Sequence, residues 1–214
     1  MNRQSIVWHA LAGLVAFSLV TGCGSGDPAP TPSAGPSNGV GSPTSVTVRP
    51  TLTDAKLQPP EQDNRYTNAG GRPRVLVDPC TWIPDDTISG LGLDPATRKR
   101  GTDLVAEYTF LTCGFASAPT QALWTVQIDS GNVSLDEVRQ KYEGRFENID
   151  VNGRPSVMTV KNGDATCAVD MRTSVGYFGV EAALEFAAEP GAIAPCDKAI
   201  EFARGLEPVI GAGN

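Results

Sequence analysis

Four cysteines, each in one of two local settings, constrain this chain more than any other feature. Pro79-Cys80 and Pro195-Cys196 place a cysteine in the first turn of a helix, where proline gives up no N–H that the helix needs. Cys113 and Cys167 lie in stretches with strand character. Four thiols allow three pairings. Cys80–Cys113 and Cys167–Cys196 are the expected bridges, because each staples a helix start to a strand and Cys167 shares the parity of Val169 and Met171, the core side. Each would close a loop of about 30 residues and contribute roughly 3–4 kcal/mol in the chain-entropy picture. The competing reading is a redox centre, since a helix N-terminus lowers a thiol pKa. No Cys-x-x-Cys pair supports it.

Disulfides imply an oxidising compartment, and the N-terminus gives an independent reason to expect one. Met1 to Ser5 carries a single cationic side chain, Arg3, and Ile6 to Val20 is apolar apart from His9 and Ser18. That length suits a signal-peptide core and is short for a membrane span. Val20-Thr21-Gly22-Cys23 resembles the lipobox of bacterial lipoproteins, in which cleavage after the small residue frees a cysteine that carries lipid. Residues 1–22 are thus expected to be a signal peptide cleaved between Gly22 and Cys23, with Cys23 the lipidated residue and the membrane the partner it engages. Two or more acyl chains hold a protein on a bilayer where one binds only marginally. The alternatives are an uncleaved anchor, or a plain secretory signal followed by an ordinary thiol. The net charge of −7 disfavours nucleic acid as a partner.

Residues 23–73 are expected to be a lipidated, Pro/Gly/Ser/Thr-rich disordered tether, too poor in large apolar side chains to order itself up to about Pro60 and ambiguous beyond. Residues 74–212 are then one domain by size. Val75-Leu76-Val77 reads as a short strand or extended entry, Asp78 as an N-cap, and Pro84-Asp85-Asp86 as the start of a second short helix. Leu104 to Phe115 is β-rich, with an apolar face that changes parity near Phe110-Leu111, the pattern of a bulge or a strand buried on both faces. After a loop around Ala118-Pro119, Trp124, Val126 and Ile128 alternate with Thr125, Gln127 and Asp129, a half-buried strand. Ser134 and Glu137 form a capping box opening a helix that carries Leu135, Val138 and Tyr142 on one face.

Four strands should follow, at Phe146 to Val151, Pro155 to Lys161, Ala165 to Arg172 and Val175 to Phe186, with Asn152-Gly153 and Asn162-Gly163 as hairpin turns. On the last strand Phe178, Val180, Ala182, Leu184 and Phe186 oppose Glu181 and Glu185. One face is core and one is wet. After a Pro190-Gly191 turn, the helix opened by Pro195 turns Ala199, Ile200, Phe202, Ala203 and Leu206 inward. The expected fold class is α+β: a single domain with a twisted antiparallel sheet, a meander of hairpins, helices packed on one face, and two disulfides.

With lipobox and tether, the run Asp78-Pro79-Cys80, Leu91-Gly92-Leu93, Cys113-Gly114-Phe115, Cys167 and Cys196 resembles actinobacterial cell-envelope lipoproteins carrying domain of unknown function 3558. Phe115 stands where tryptophan is the more usual residue of that pattern. The resemblance implies a high-GC Gram-positive host and anchorage on the extracytoplasmic face of the cell membrane. It brings no activity, catalytic residue or cofactor with it.

The only histidine, His9, lies in the leader, so the mature chain has no imidazole for a Ser-His triad or a histidine metal site, and no cofactor or metal is expected. The chain has no dinucleotide fingerprint. The pairs Asp85-Asp86 and Asp136-Glu137 fall in first helical turns, where the helix dipole accounts for them. Two features point to binding. Arg98-Lys99-Arg100 is a basic cluster suited to phosphate headgroups or anionic polymers, or else a solvated loop. Trp124, Tyr142, Met158, Met171, Tyr177 and Phe178 either line a cleft between sheet and helices or fill the core. The expected function is a non-enzymatic binding or accessory module for an envelope lipid, glycan or protein. The alternatives are a structural spacer or partner-docking lipoprotein, and a histidine-free hydrolase built on paired carboxylates.

Overall fold

The structure, a computed structural model, describes residues 52–118, 124–161, 165–184, 194–212 and 214. The expected leader, Gly22 and Cys23, and the Asn162-Gly163 and Pro190-Gly191 turns lie outside these residues.

The elements are α1 (Arg65–Gly70), α2 (Pro79–Trp82), α3 (Asp85–Gly90), β1 (Lys99–Arg100), β2 (Leu104–Val105), β3 (Thr109–Ala116), β4 (Trp124–Gly131), α4 (Leu135–Lys141), β5 (Phe146–Val151), β6 (Arg154–Lys161), β7 (Thr166–Arg172), β8 (Tyr177–Leu184) and α5 (Pro195–Ile210). The strands form one eight-stranded sheet in the order β1-β3-β4-β8-β7-β6-β5, with β2 beside β3. All the pairings are antiparallel. The chain leaves the sheet at the end of β4, passes through α4 to the far edge at β5, and returns strand by strand until β8 closes against β4. That return is the expected meander. Its first turn, Asn152-Gly153, has both residues at positive φ, 54° and 88°, as a type I′ hairpin requires.

Period-two alternation divides the sheet into two faces. Trp124, Val126 and Ile128 of β4 face the same way as Phe178, Val180 and Ala182 of β8 and Cys167, Val169 and Met171 of β7, and all are buried. Ala199, Phe202, Ala203 and Leu206 of α5 cover them, and Ile83, Ile88 and Leu93 from the α2–α3 region join the same core. The bridges Cys80–Cys113 and Cys167–Cys196, with Cα separations of 5.1 and 4.9 Å, pin α2 to β3 and α5 to β7 on this side. The helices expected on one face are therefore there. α4 lies over the other face, where Leu135 and Val138 bury against Val157 and Tyr177.

The change of apolar parity near Phe110 also has its cause. β2 and β3 form a hairpin, with Leu104 opposite Phe110 and Val105 opposite Thr109, and β3 is buried on both faces. Val75-Leu76-Val77 is an extended entry without strand pairing; Val75 and Val77 are buried.

Residues 52–73, expected to belong to the tether, are laid onto this domain. Leu52 N–H donates to the Thr81 carbonyl at 2.9 Å, Gln62 and Val75 exchange two hydrogen bonds, and Arg100 donates to the Leu57 carbonyl through Nε at 2.9 Å. Asn64 caps α1 in a capping box with Thr67. Leu57 packs on the core, and the remaining hold comes from backbone, amide and guanidinium hydrogen bonds, to which a count of apolar residues is blind.

Candidate functional site

The face under α4 carries a line of residues that crosses five strands in register: Thr112 on β3, Asp129 on β4, Gly179 on β8, Asp170 on β7 and Val157 on β6. Two carboxylates thus flank a glycine, and Asp170 Oδ1 leans over it beside the Tyr177 ring. The next row toward one end carries Gln127 and Glu181, and the next toward the other carries Phe110 and Tyr177. Because α4 sits over one part of this face only, a cleft of about 640 Å³ remains between its Val138–Tyr142 side and the sheet.

The polar groups in the cleft are unevenly partnered. Lys161 Nζ donates to Glu181 Oε2 at 2.6 Å. Burial pulls the Lys161 ammonium down, but the hydrogen bond and charge of Glu181 outweigh it and leave its pKa raised. On the α4 wall, Arg72 donates to both carboxylate oxygens of Glu137, at 2.6 and 3.2 Å, while Ser134 completes the capping box. Those hydrogen bonds, Arg72's first, hold Glu137 well down, at about 2. Tyr177 Oη donates to Asp129 Oδ2 at 2.5 Å. Asp170 accepts no hydrogen bond from a described residue and is 8 % exposed.

Desolvation sets the chemistry of the pair. Burial pushes Asp129 up to about 6, against the Tyr177 hydrogen bond and the charge of Lys161, which pull it down. Burial together with repulsion from Asp129 pushes Asp170 up to about 7, opposed by Lys161. Burial and the same two carboxylates drive the Tyr177 phenol well above its ordinary value, so it remains a donor. Near neutrality the pair offers one acid and one carboxylate facing a cavity.

The sequence matches the family described as Protein of unknown function (DUF3558) over residues 18–208. The chain belongs to that family. No curated protein and no solved structure gives a significant match. The fold described above is thus a view of a DUF3558 domain, with the cysteine pairing expected from its sequence.

In this DUF3558 chain the basic cluster is taken apart by its surroundings. The Arg98 side chain, 4 % exposed, donates to the Cys80 and Ile83 carbonyls and to Asp85. Arg100 pairs with Asp78 and Asp103. Lys99 alone of the three stays exposed. The cluster does not present a triple cationic face, because its two guanidiniums are consumed in tying β1 to α2 and its flanks.

The aromatic and methionine set divides between the two faces. Trp124, Met171 and Phe178 are core, Met158 packs on that core, and Tyr142 and Tyr177 belong to the cleft. Asp129 was legible as the wet side of its strand; Asp170 sits between Val169 and Met171 in a strand buried at almost every position. An acid inside such a run was the available signal for a site.

Proposed function

We propose that this DUF3558 protein is an extracytoplasmic binding lipoprotein of an actinobacterial cell envelope, anchored through lipidated Cys23, whose ligand enters the cleft between α4 and the sheet. The observation that carries the binding role is the cleft itself. It has the volume of a small-molecule site, with apolar Phe110, Val133 and Val138 beside a few convergent polar groups. The anchor rests on the Val20–Cys23 pattern and the tether after it. A spacer would have no reason to keep a buried, unpartnered carboxylate facing a cavity.

The test is native mass spectrometry of full-length protein purified from its own membranes, beside a Gln127→Trp variant that fills the exposed cleft floor. The parent is expected to carry a small-molecule adduct that the variant lacks. No adduct in either would favour the spacer. Replacing Cys23 with Ser should move the protein from the membrane to the soluble fraction and end acyl labelling.

A second reading is favoured by one observation. Asp129 and Asp170, two carboxyls that burial raises above the ordinary range beside one cavity, are the kind of pair that a carboxylate-based hydrolase uses as acid and base. Release of a cleaved product from envelope glycan, lost in Asp170→Asn, would establish that reading in place of simple binding.

A further inference from the structure

We infer that the cleft takes an organic ammonium ion, a primary or secondary amine on an apolar or aromatic body, with the ammonium seated at Asp170 and Asp129 over Gly179. This rests on the cleft being the binding site. Asp170 is a carboxylate more than nine-tenths buried that lines the cavity and has no donor among the described residues. A buried acid is held either by a counter-ion or by a proton, and here the protein supplies no counter-ion in contact.

The charged and titratable groups facing the pair come from every surrounding element. From β6, Lys161 is held by Glu181 of β8 at 2.6 Å. From α4, Glu137 is held by Arg72, and Lys141 stands exposed at the rim. Tyr177 of β8 is spent on Asp129, and Tyr108 and Tyr142 are rings on the wall. With those pairs formed, the cation left to the two aspartates among the described lining residues is Lys141 at the rim, and no described cation touches Asp170.

A metal ion is a poor candidate to supply it. No group of three His, Cys, Asp or Glu side chains that could hold one occurs among the described residues. A neutral polyol would leave the charge deficit, and an anion would be repelled by the floor. An ammonium fits because it is a compact triple donor, and the absence of a side chain at Gly179 lets the Asp170 carboxylate lean over it toward the Asp129 strand. The body that carries it meets Phe110 and Tyr177, whose rings lie 6.4 Å apart, and Val138 below α4. Aromatic faces near an ammonium add cation–π attraction. Docking replaces the proton that the pair holds near neutrality: the acid gives its proton to solvent, and the carboxylate left behind accepts hydrogen bonds from the ammonium.

The experiment is calorimetric titration of the full chain in detergent with benzylamine, benzyl alcohol and benzoate, in two buffers of different ionisation enthalpy. Benzylamine should bind about ten-fold or more tighter than benzyl alcohol, the scale of one charge-assisted hydrogen bond. Its affinity should rise between about pH 5 and about pH 8, the range that brackets the pair, with proton release visible in the buffer dependence. Asp170→Asn should lose about that same factor for benzylamine and none for benzyl alcohol; Asp129→Asn is the second variant, and circular dichroism checks that both fold. Equal binding of amine and alcohol, tightest binding of benzoate, or an Asp170→Asn variant that keeps its amine affinity would overturn the ammonium while leaving the cleft as a site. If none of the three probes bound, or if binding survived Gln127→Trp unchanged, the cleft reading would fall with it.

Discussion

Asp129 and Asp170 stand on strands that do not pair with each other, yet both are registered against the same residue, Gly179. Two strand spacings put their Cα atoms about 10 Å apart, so the side chains converge only by leaning over the strand between. A side chain at the middle position would block that approach. A Cβ built on Gly179 falls against Asp170 Oδ1, far inside van der Waals contact. The glycine is therefore part of the acid pair.

Replacing Gly179 with Ala should cost about 1–3 kcal/mol, the range for forcing an extra carbon into packed structure, although alanine ordinarily suits a strand better than glycine. Gly114→Ala is the control. Its Cβ would meet nothing closer than the Lys99 carbonyl at 3.7 Å, and the change should stay within about 0.5 kcal/mol. Urea denaturation of the two variants measures the difference. Equal midpoints would mean that Asp170 swings aside without loss and that the pair is not held by the glycine.

The pair also sets a pH dependence opposite to that of most acidic residues. Both carboxyls are raised in the folded state, to about 6 and about 7, so the folded protein binds protons more tightly than the unfolded chain does. Their contribution is most favourable below the ordinary carboxylate value of about 4 and declines as pH rises through 6 and 7. Glu137 runs the other way: lowered to about 2, it stabilises above its ordinary value and that contribution is lost as pH falls through about 2. The melting temperature of the parent should therefore fall from about pH 5 to about pH 8, and the Asp129→Asn/Asp170→Asn double variant should flatten that limb and melt higher at the alkaline end. A parent profile that is level or rising over this interval would show the pair to be ordinarily solvated.

How much of this was written in the sequence depends on the range over which each signal acts. The strands from Phe146 onward and the helix at Pro195 followed from period and turn residues, and the bridges followed from matching each helix start with a strand. Those are local facts plus one parity. The capping box at Ser134 fixed where α4 begins, but no local feature says which face of the sheet the helix will cross. That depends on β8 returning to pair with β4, a relation between residues some fifty positions apart. For the same reason Asp129 was readable as outward-facing while the roof above it was not. The Arg98–Arg100 cluster was misleading in the same way, since a run of cations looks identical in sequence whether solvent or buried carbonyls will surround it.

Within that cluster Arg100 ties β1 to the cap of α2. Asp78 Oδ1 accepts from Cys80 N–H at 3.0 Å and Thr81 N–H at 2.8 Å, capping α2, and both Asp78 oxygens accept from Arg100 Nη2 at 2.7 Å. Arg100 also reaches Asp103 at 3.1 Å. The side chains of Arg100, Asp78 and Asp103 are 11 %, 5 % and 9 % exposed, so these charges have little water to fall back on. Arg100 is paired in register with Cys113, itself bridged to Cys80. One guanidinium thus joins the cap, the disulfide and the strand edge. Removing it as Arg100→Leu leaves two buried carboxylates and the Leu57 carbonyl short of a donor, and should cost about 3–5 kcal/mol. Lys99→Ala, next to it and exposed, should cost less than about 0.5 kcal/mol. An anion-capturing surface would give the reverse pattern, with binding of acidic vesicles lost in both variants and stability in neither. If Arg100→Leu unfolded at the same urea concentration as Lys99→Ala, the arginine would not be the tie that its contacts describe.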